Sequence, residues 1–232
     1  PFMKSCDLAF IEAVGYAGMD YCILDMEHGP IVIENLHNLI RAALISGALP
    51  IVRVPDISEE SIGKALDLGA GGIQIPKIIN ALQASKAVRM AKFFPEGDRG
   101  VCRYVRAAKY SILDKNEYFK MANQALVILQ IEGLEGINNI DEILEVSGID
   151  VLFIGPYDLS QSLGIPGDVT NPKVIEGMEY IVKRAKEKDI TIGTFTDDME
   201  TAIFWDRKGI RYLSYSVDVG IFAQECKNIR KD

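Results

Sequence analysis

Two carboxylates and one of the chain's two histidines stand within four residues, in Asp25-Met26-Glu27-His28-Gly29-Pro30. Histidine exchanges a proton near neutral pH without help from its surroundings. An acid three residues before it could orient the ring, so the stretch reads as acid/base machinery. The alternative is a strand end whose polar residues face water. Arg53 lies between Val52 and Val54, where a buried guanidinium calls for an anion: a substrate carboxylate or oxyanion, or a structural ion-pair partner. Gln130 and Glu132, two residues apart, share one face of a strand. Asp158 follows Gly155-Pro156-Tyr157. Glu132 and Asp158 together suit a hard divalent cation, Mg²⁺ or Mn²⁺, that keeps water or substrate oxygens in its other positions. The alternative is that each carboxylate caps a helix. No cysteine stands near either, which argues against thiolate-held zinc. Lys77, just past Pro76, is either a Schiff-base lysine or a solvated one, and His37 falls on a helical pattern as a surface residue.

Such residues need a scaffold that gathers strand ends. Apolar strand-length runs at 21–24, 50–53, 72–76, 126–132, 151–154, 191–195 and 212–215 alternate with helical spacing at 8–17, 36–44, 81–92, 137–146, 174–188 and 198–208. Ser58 reads as the cap of one more helix, and a last helix runs to about Ile229. Adding a remnant strand at 2–4 predicts eight strands alternating with eight helices, and hence a parallel sheet. An open doubly wound sheet would place a glycine-rich turn after its first strand, and none is present. The expected fold is therefore a closed (β/α)₈ TIM barrel, a single domain over 1–232, with its first strand clipped at the N-terminus, since the chain opens at Pro1. In such barrels the active site lies at the C-terminal strand ends, where His28, Arg53, Lys77, Glu132 and Gly155–Asp158 all fall. Two stretches break the rhythm: 94–122, whose basic, aromatic part from Arg103 to Tyr110 reads as a nucleic-acid strip or, given the acidic balance, as a substrate lid or subunit contact, and a loop at 155–172.

Composition narrows the function. A content of 48% hydrophobic and 25% charged residues suits a globular protein with a sizeable core. No apolar run is long enough for a transmembrane helix, and a net charge of −8 argues against nucleic acid or an anionic membrane as partner. Four scattered cysteines without a CxxC pair predict a reducing, cytoplasmic setting. The loops after strands seven and eight, Thr196-Asp197-Asp198 and Ser216-Val217-Asp218, lack a glycine-rich phosphate cradle, so an unphosphorylated substrate is expected.

The combination of Asp25–Pro30, Val52-Arg53-Val54-Pro55, Gln130-Ile131-Glu132 and Gly155-Pro156-Tyr157-Asp158-Leu159-Ser160 resembles the metal-dependent class II pyruvate aldolases. These are the 4-hydroxy-2-oxoheptanedioate and 2-keto-3-deoxy-sugar-acid aldolases of the phosphoenolpyruvate/pyruvate barrel superfamily. Gly97-Asp98-Arg99-Gly100 and Leu66-Asp67-Leu68-Gly69-Ala70 extend the likeness along nearly the whole chain. The resemblance implies that Glu132 and Asp158 ligate the metal (Mg²⁺ or Mn²⁺, with Co²⁺ a further candidate), and that Gln130 holds a metal-bound water or the substrate. It also implies that Arg53 stabilises the enolate oxygen, that His28, oriented by Asp25, is the acid/base, and that backbone near Gly155, Pro156, Tyr157 and Asp158 holds the pyruvate carboxylate. Where the family often has a small residue, this chain has Tyr157. The implied reaction is retro-aldol cleavage of a 4-hydroxy-2-oxo acid to pyruvate and an aldehyde, in a homohexamer with exchanged terminal helices. The rival readings are a CoA-thioester lyase of the citrate or malyl type and a non-catalytic barrel that senses a 2-oxo acid.

Overall fold

The computed structural model describes residues 1–230 of the chain. Eight strands, β1 (Phe2–Met3), β2 (Tyr21–Asp25), β3 (Leu49–Arg53), β4 (Gly72–Ile75), β5 (Leu126–Ile131), β6 (Val151–Ile154), β7 (Thr191–Thr196) and β8 (Tyr212–Tyr215), pair in parallel in sequence order. β1 has only two residues, yet the ring closes: Phe2 bridges Val217, and the Phe2 amide donates to the Ser216 carbonyl at 3.1 Å. Asp218 reinforces the seam by accepting the Lys4 and Ser5 amides, both at 2.9 Å. The result is the expected (β/α)₈ barrel.

Strand parity explains both the core and the site. Inward-facing residues alternate with outward ones, and Phe2, Ile23, Ile51, Ile128, Val151, Phe153 and Tyr212 form the barrel interior. Two residues further along the same faces stand Asp25, Arg53, Gln130 and Gly155. Each inner face therefore runs from apolar at mid-barrel to polar at its C-terminal end. Register levels these residues: Asp25 pairs with Arg53, and Arg53 with Gln74. Gly193 makes room for the aromatic filling, because a Cβ there would lie 2.7 Å from Tyr212 and 3.0 Å from Phe153.

Outward residues such as Leu24, Val52, Ile73, Leu129 and Leu152 pack on the surrounding helices in the main core. The helices are α1 (Leu8–Tyr16), α2 (Ile33–Ser46), α3 (Glu59–Asp67), α4 (Ala81–Ala91), α5 (Lys115–Ala122), α6 (Leu134–Asn138), α7 (Ile140–Leu144), α8 (Pro156–Ser162), α9 (Pro172–Lys186), α10 (Met199–Lys208) and α11 (Asp218–Arg230). Ser58 caps α3 as expected, accepting the Ser61 amide. The single helix expected at 137–146 is instead the pair α6 and α7. Asn139 leaves helical geometry between them and donates to the Ile79 carbonyl at 2.8 Å. Inside the expected loop at 155–172, α8 forms directly after β6.

The 94–122 excursion joins α4 to β5 and so lies at the N-terminal end of the strands. Arg106 donates to the Leu68 carbonyl, and Phe93, Ala108 and Tyr118 form a small core of their own. This corrects the lid expectation: the segment sits at the far end of the barrel from its own chain's polar strand ends. Among the described residues no helix is long and apolar enough to cross a membrane.

Candidate active site

Asp25 is fully buried and holds the centre of a charged cluster. Arg53 approaches it with two parallel hydrogen bonds, Nε to Oδ1 at 2.8 Å and Nη2 to Oδ2 at 2.7 Å. The Lys4 ammonium donates to the same Oδ2. Burial alone would raise the Asp25 pKa, but the hydrogen bonds and charges of Arg53 and Lys4 outweigh it and bring it down to about 2. Arg53 also places Nη1 3.1 Å from Glu27 Oε2 and stacks its guanidinium over the Phe2 ring at 4.7 Å. The arginine thus has structural anionic partners and still lines the cleft described below.

Asp25 meets His28 through backbone only. Its Oδ1 accepts the amides of Glu27 at 3.1 Å and His28 at 3.3 Å, an Asx-type turn that ends β2. The expectation that Asp25 orients the imidazole is corrected accordingly: the ring, 58% exposed, has Nε2 3.7 Å from Glu27 Oε1. Glu27 also receives Lys77 Nζ at 2.8 Å. That hydrogen bond favours the ammonium form and pushes the Lys77 pKa up, the wrong direction for a Schiff-base nucleophile. His37 lies partly exposed on α2, outside the site.

Glu132 follows β5, buried to 8% exposure. Its Oε1 accepts the Lys77 amide at 2.8 Å, and its Oε2 accepts Gln130 Nε2. Gln130 is fixed in turn by Gln74 Nε2, which donates to its Oε1 at 2.7 Å. Burial pushes the Glu132 carboxyl up to about 7; the charges of Asp158 and Glu27 add to this, while Gln130 and the Lys77 amide oppose it. A carboxylate desolvated near the charges of Asp158 and Glu27 is what a bound cation would relieve, and carboxylate oxygens as donors fit a hard ion. Gly155 is required beside it, because a Cβ there would lie 2.9 Å from Glu132 Cβ and 3.1 Å from Oε2. Asp158 sits exposed in the first turn of α8. The N-caps of α6 and α8 are Gly133 and Gly155, without side-chain cap bonds, so neither carboxylate caps its following helix. Among the described residues no group of three His, Cys, Asp or Glu side chains gathers as a metal centre. An ion here would have two protein carboxylates and an otherwise open shell.

The cleft itself is small, about 140 Å³. Lys4, Arg53, Gln130 and the run Gly155–Asp158 give its polar lining, and Phe2, Phe153, Phe195 and Val217 its apolar wall. Pro156 takes the first position of α8, where its missing N–H costs nothing, and the first-turn amides that follow have no acceptor within the helix. The Tyr157 hydroxyl donates to Asp197 Oδ2 at 2.6 Å, and burial together with Asp197 pushes its pKa up to about 12. Of the residues singled out in the sequence, Arg53, Gln130 and Gly155–Asp158 line one cleft, and Glu132 joins them through Gln130. His28 and Lys77 stand apart, near the outer side of Glu27. Sequence reasoning missed Glu27 as a hub, Lys4 as a second cation on Asp25, and Gln74. The available signals were a second acid in the histidine stretch, a lysine ending a strand remnant, and a glutamine inside an apolar strand.

A family model described as HpcH/HpaI aldolase/citrate lyase matches residues 2–224. The 2-dehydro-3,6-dideoxy-6-sulfogluconate aldolase of Pseudomonas putida is 32% identical over 229 residues, covering 98% of this chain and 89% of that protein. The hydroxypyruvate/pyruvate aldolase of Paraburkholderia phytofirmans is 34% identical over 218 residues, covering 91% and 83%. A crystal structure of a Burkholderia cenocepacia protein of the same family superposes with a TM-score of 0.94 at 30% identity, covering 99% of this chain and 91% of that one. On a sequence match over nearly the whole chain and a shared barrel, this chain belongs to the HpcH/HpaI aldolase/citrate lyase family.

Proposed function

We propose that the cleft at the C-terminal end of the barrel performs divalent-cation-assisted retro-aldol cleavage of a 4-hydroxy-2-oxo acid to pyruvate and an aldehyde, and the reverse addition. The chain is an aldolase by family, and relatives named as sulfogluconate, hydroxypyruvate/pyruvate and ketodeoxyrhamnonate aldolases match 91–98% of it. The observation that carries the finer reading is the convergence of Arg53, Gln130 and Asp158 on one small cleft with an apolar wall, next to desolvated Glu132. Glu132 and Asp158 would hold the ion, Mg²⁺ or Mn²⁺ by their all-oxygen character. Such an ion supplies a Lewis acid for the keto oxygen.

The chain's own residues account for the rest. Arg53, held rigid by Asp25 and Glu27, presents a fixed cation to the oxygen on which enolate charge develops. Gln130, locked between Gln74 and Glu132, offers a donor or acceptor that does not reorganise. The C4 hydroxyl gives its proton to His28, directly or through a relaying water since the ring stands outside the cleft lining, and the electrons of the C3–C4 bond pass into the enolate. Glu27 Oε1 lies 3.7 Å from Nε2. Protonation at C3 completes pyruvate. Phe2, Phe153, Phe195 and Val217 keep the reacting carbons out of bulk water.

The test is pyruvate release from a panel of unphosphorylated hydroxy-oxo acids, read through lactate dehydrogenase. Chelation is expected to remove the activity, Mg²⁺ or Mn²⁺ to restore it, and borohydride with pyruvate to trap no lysine adduct. Activity that survives thorough chelation, with an adduct at Lys77, overturns the reading.

The proposed assembly is a homohexamer with exchanged C-terminal helices, in a reducing cytoplasm consistent with four unpaired cysteines. Support comes from α11, which leaves Val219, Ile221, Phe222 and Ile229 exposed, with only Phe222 making a ring contact, to Phe10 at 6.0 Å. An apolar helix face left in water marks an interface. The 94–122 segment, with Phe94, Tyr104 and Ile112 exposed, supplies a second contact surface. Light scattering should give a multiple of the 25.7 kDa chain mass, and Phe222→Glu with Ile229→Glu should reduce it. A monomeric wild type contradicts the assembly.

A further inference from the structure

We propose that Tyr157, tied to Asp197, is a specificity wall that confines the cleft to short 2-oxo acids and closes it off from a second chamber alongside. The inference rests on the aldolase reading above and names the class of 2-oxo acid that the site accepts.

The second chamber measures about 390 Å³ against about 140 Å³ for the cleft. Pro156 and Phe195 line both, so the two volumes are neighbours. Tyr157 lines the first and Asp197 the second, and the 2.6 Å hydrogen bond between them spans the boundary. The tyrosine is held at both ends. Its ring meets Phe195 edge to face at 6.1 Å, and its hydroxyl is fixed by a charge-assisted bond. The tether has a firm base, because neighbouring Asp198 caps α10 by accepting the Thr201 amide at 2.7 Å. A ring pinned in this way is a barrier that a substrate cannot displace without breaking the bond.

The chamber behind the wall has its own chemistry. Ile175, Phe204 and Trp205 give it an apolar floor, and Asp197, Asp198 and Glu200 an acidic rim. Opened to the cleft, it would take a neutral apolar or hydroxylated chain and disfavour a second carboxylate.

The test compares pyruvate, 2-oxobutyrate and 2-oxopentanoate in aldol addition to one common aldehyde. Dissociation constants for the same acids are measured by calorimetry with Mg²⁺ present. The wild type should prefer pyruvate by about tenfold or more, the scale of one methylene in a tight pocket. Tyr157→Ala should shift both ratios toward the longer acids by about tenfold or more. Tyr157→Phe and Asp197→Ala should shift them less, and the two combined no further than either alone, because both break one bond. The dicarboxylate 2-oxoglutarate should not share the gain. Ratios that stay within about twofold in Tyr157→Ala, well below the value of one methylene, overturn the wall; so does a wild type that binds the three acids alike or not at all. A wild type that binds pyruvate but makes no carbon–carbon bond overturns the aldolase reading instead, and the binding ratios then decide the wall alone.

Discussion

Glu132→Ala and Asp158→Ala are each expected to abolish the heat of Mg²⁺ or Mn²⁺ binding, and aldol activity with it. Two carboxylates are all that the described site offers as anionic ligands on the cleft side, so losing either leaves a divalent ion with one. Removing Lewis-acid stabilisation worth several kcal/mol corresponds to about three orders of magnitude in rate or more. The two variants differ in what else they disturb. Glu132→Ala strips the acceptor from the Lys77 amide and from Gln130 in a buried setting, so a loss of fold must be separated from a loss of ligand by melting. Asp158 is exposed on the first turn of α8, and its removal should leave the melting temperature of the metal-free protein nearly unchanged. Asp158→Ala is therefore the cleaner measurement. Undiminished cation affinity in both variants would remove the metal assignment and leave Glu132 as a buried acid that orders Gln130.

Why some of this arrangement was readable in the sequence follows from where each residue sits. Arg53, Gln130 and Glu132 lie on period-two faces of strongly apolar strands, so parity alone sends them inward, and their positions at the strand ends send them to one mouth. Their register partners were not readable. Asp25 pairs with Arg53 because β2 and β3 align those two residues, a level that depends on the whole barrel. The three-residue spacing from Asp25 to His28 invited a side-chain pairing. The chain instead turns at once after Asp25 and uses the carboxylate to accept backbone amides, leaving the imidazole beside Glu27. Lys4 was still less accessible, since it follows a two-residue strand fixed by closure with Val217 and Asp218. The location of 94–122 was derivable. A segment between a helix and the next strand must lie at the N-terminal end of a parallel barrel, which rules it out as a lid on its own site.

Arg53→Lys is expected to lower turnover by about a hundredfold or more, the scale of losing one preorganised oxyanion donor. The charge survives this substitution, but the geometry does not. An ammonium cannot give Asp25 two parallel bonds from a rigid plane while keeping a further N–H near Glu27 and the cleft. A second readout follows from the same bonds. At about 1.4 kcal/mol per tenfold change in proton affinity, holding the Asp25 carboxyl at about 2 instead of 3.8 is worth on the order of 2 kcal/mol. Because the folded-state pKa is the depressed one, that stability is present above about pH 4 and is lost as the pH falls through about 2. Lys4 sustains part of the shift, so the variant should lose a fraction of this at neutral pH, and the gap from wild type should narrow as acid protonates Asp25 in both. Urea midpoints across that pH range measure the narrowing, and coupled pyruvate release measures turnover. A variant with near-native turnover and the predicted loss of stability would show that Arg53 serves Asp25 and not the reacting oxygen. Lost turnover with an unchanged pH profile of stability would show the reverse, that the paired bonds to Asp25 carry little and the arginine is kept for the substrate.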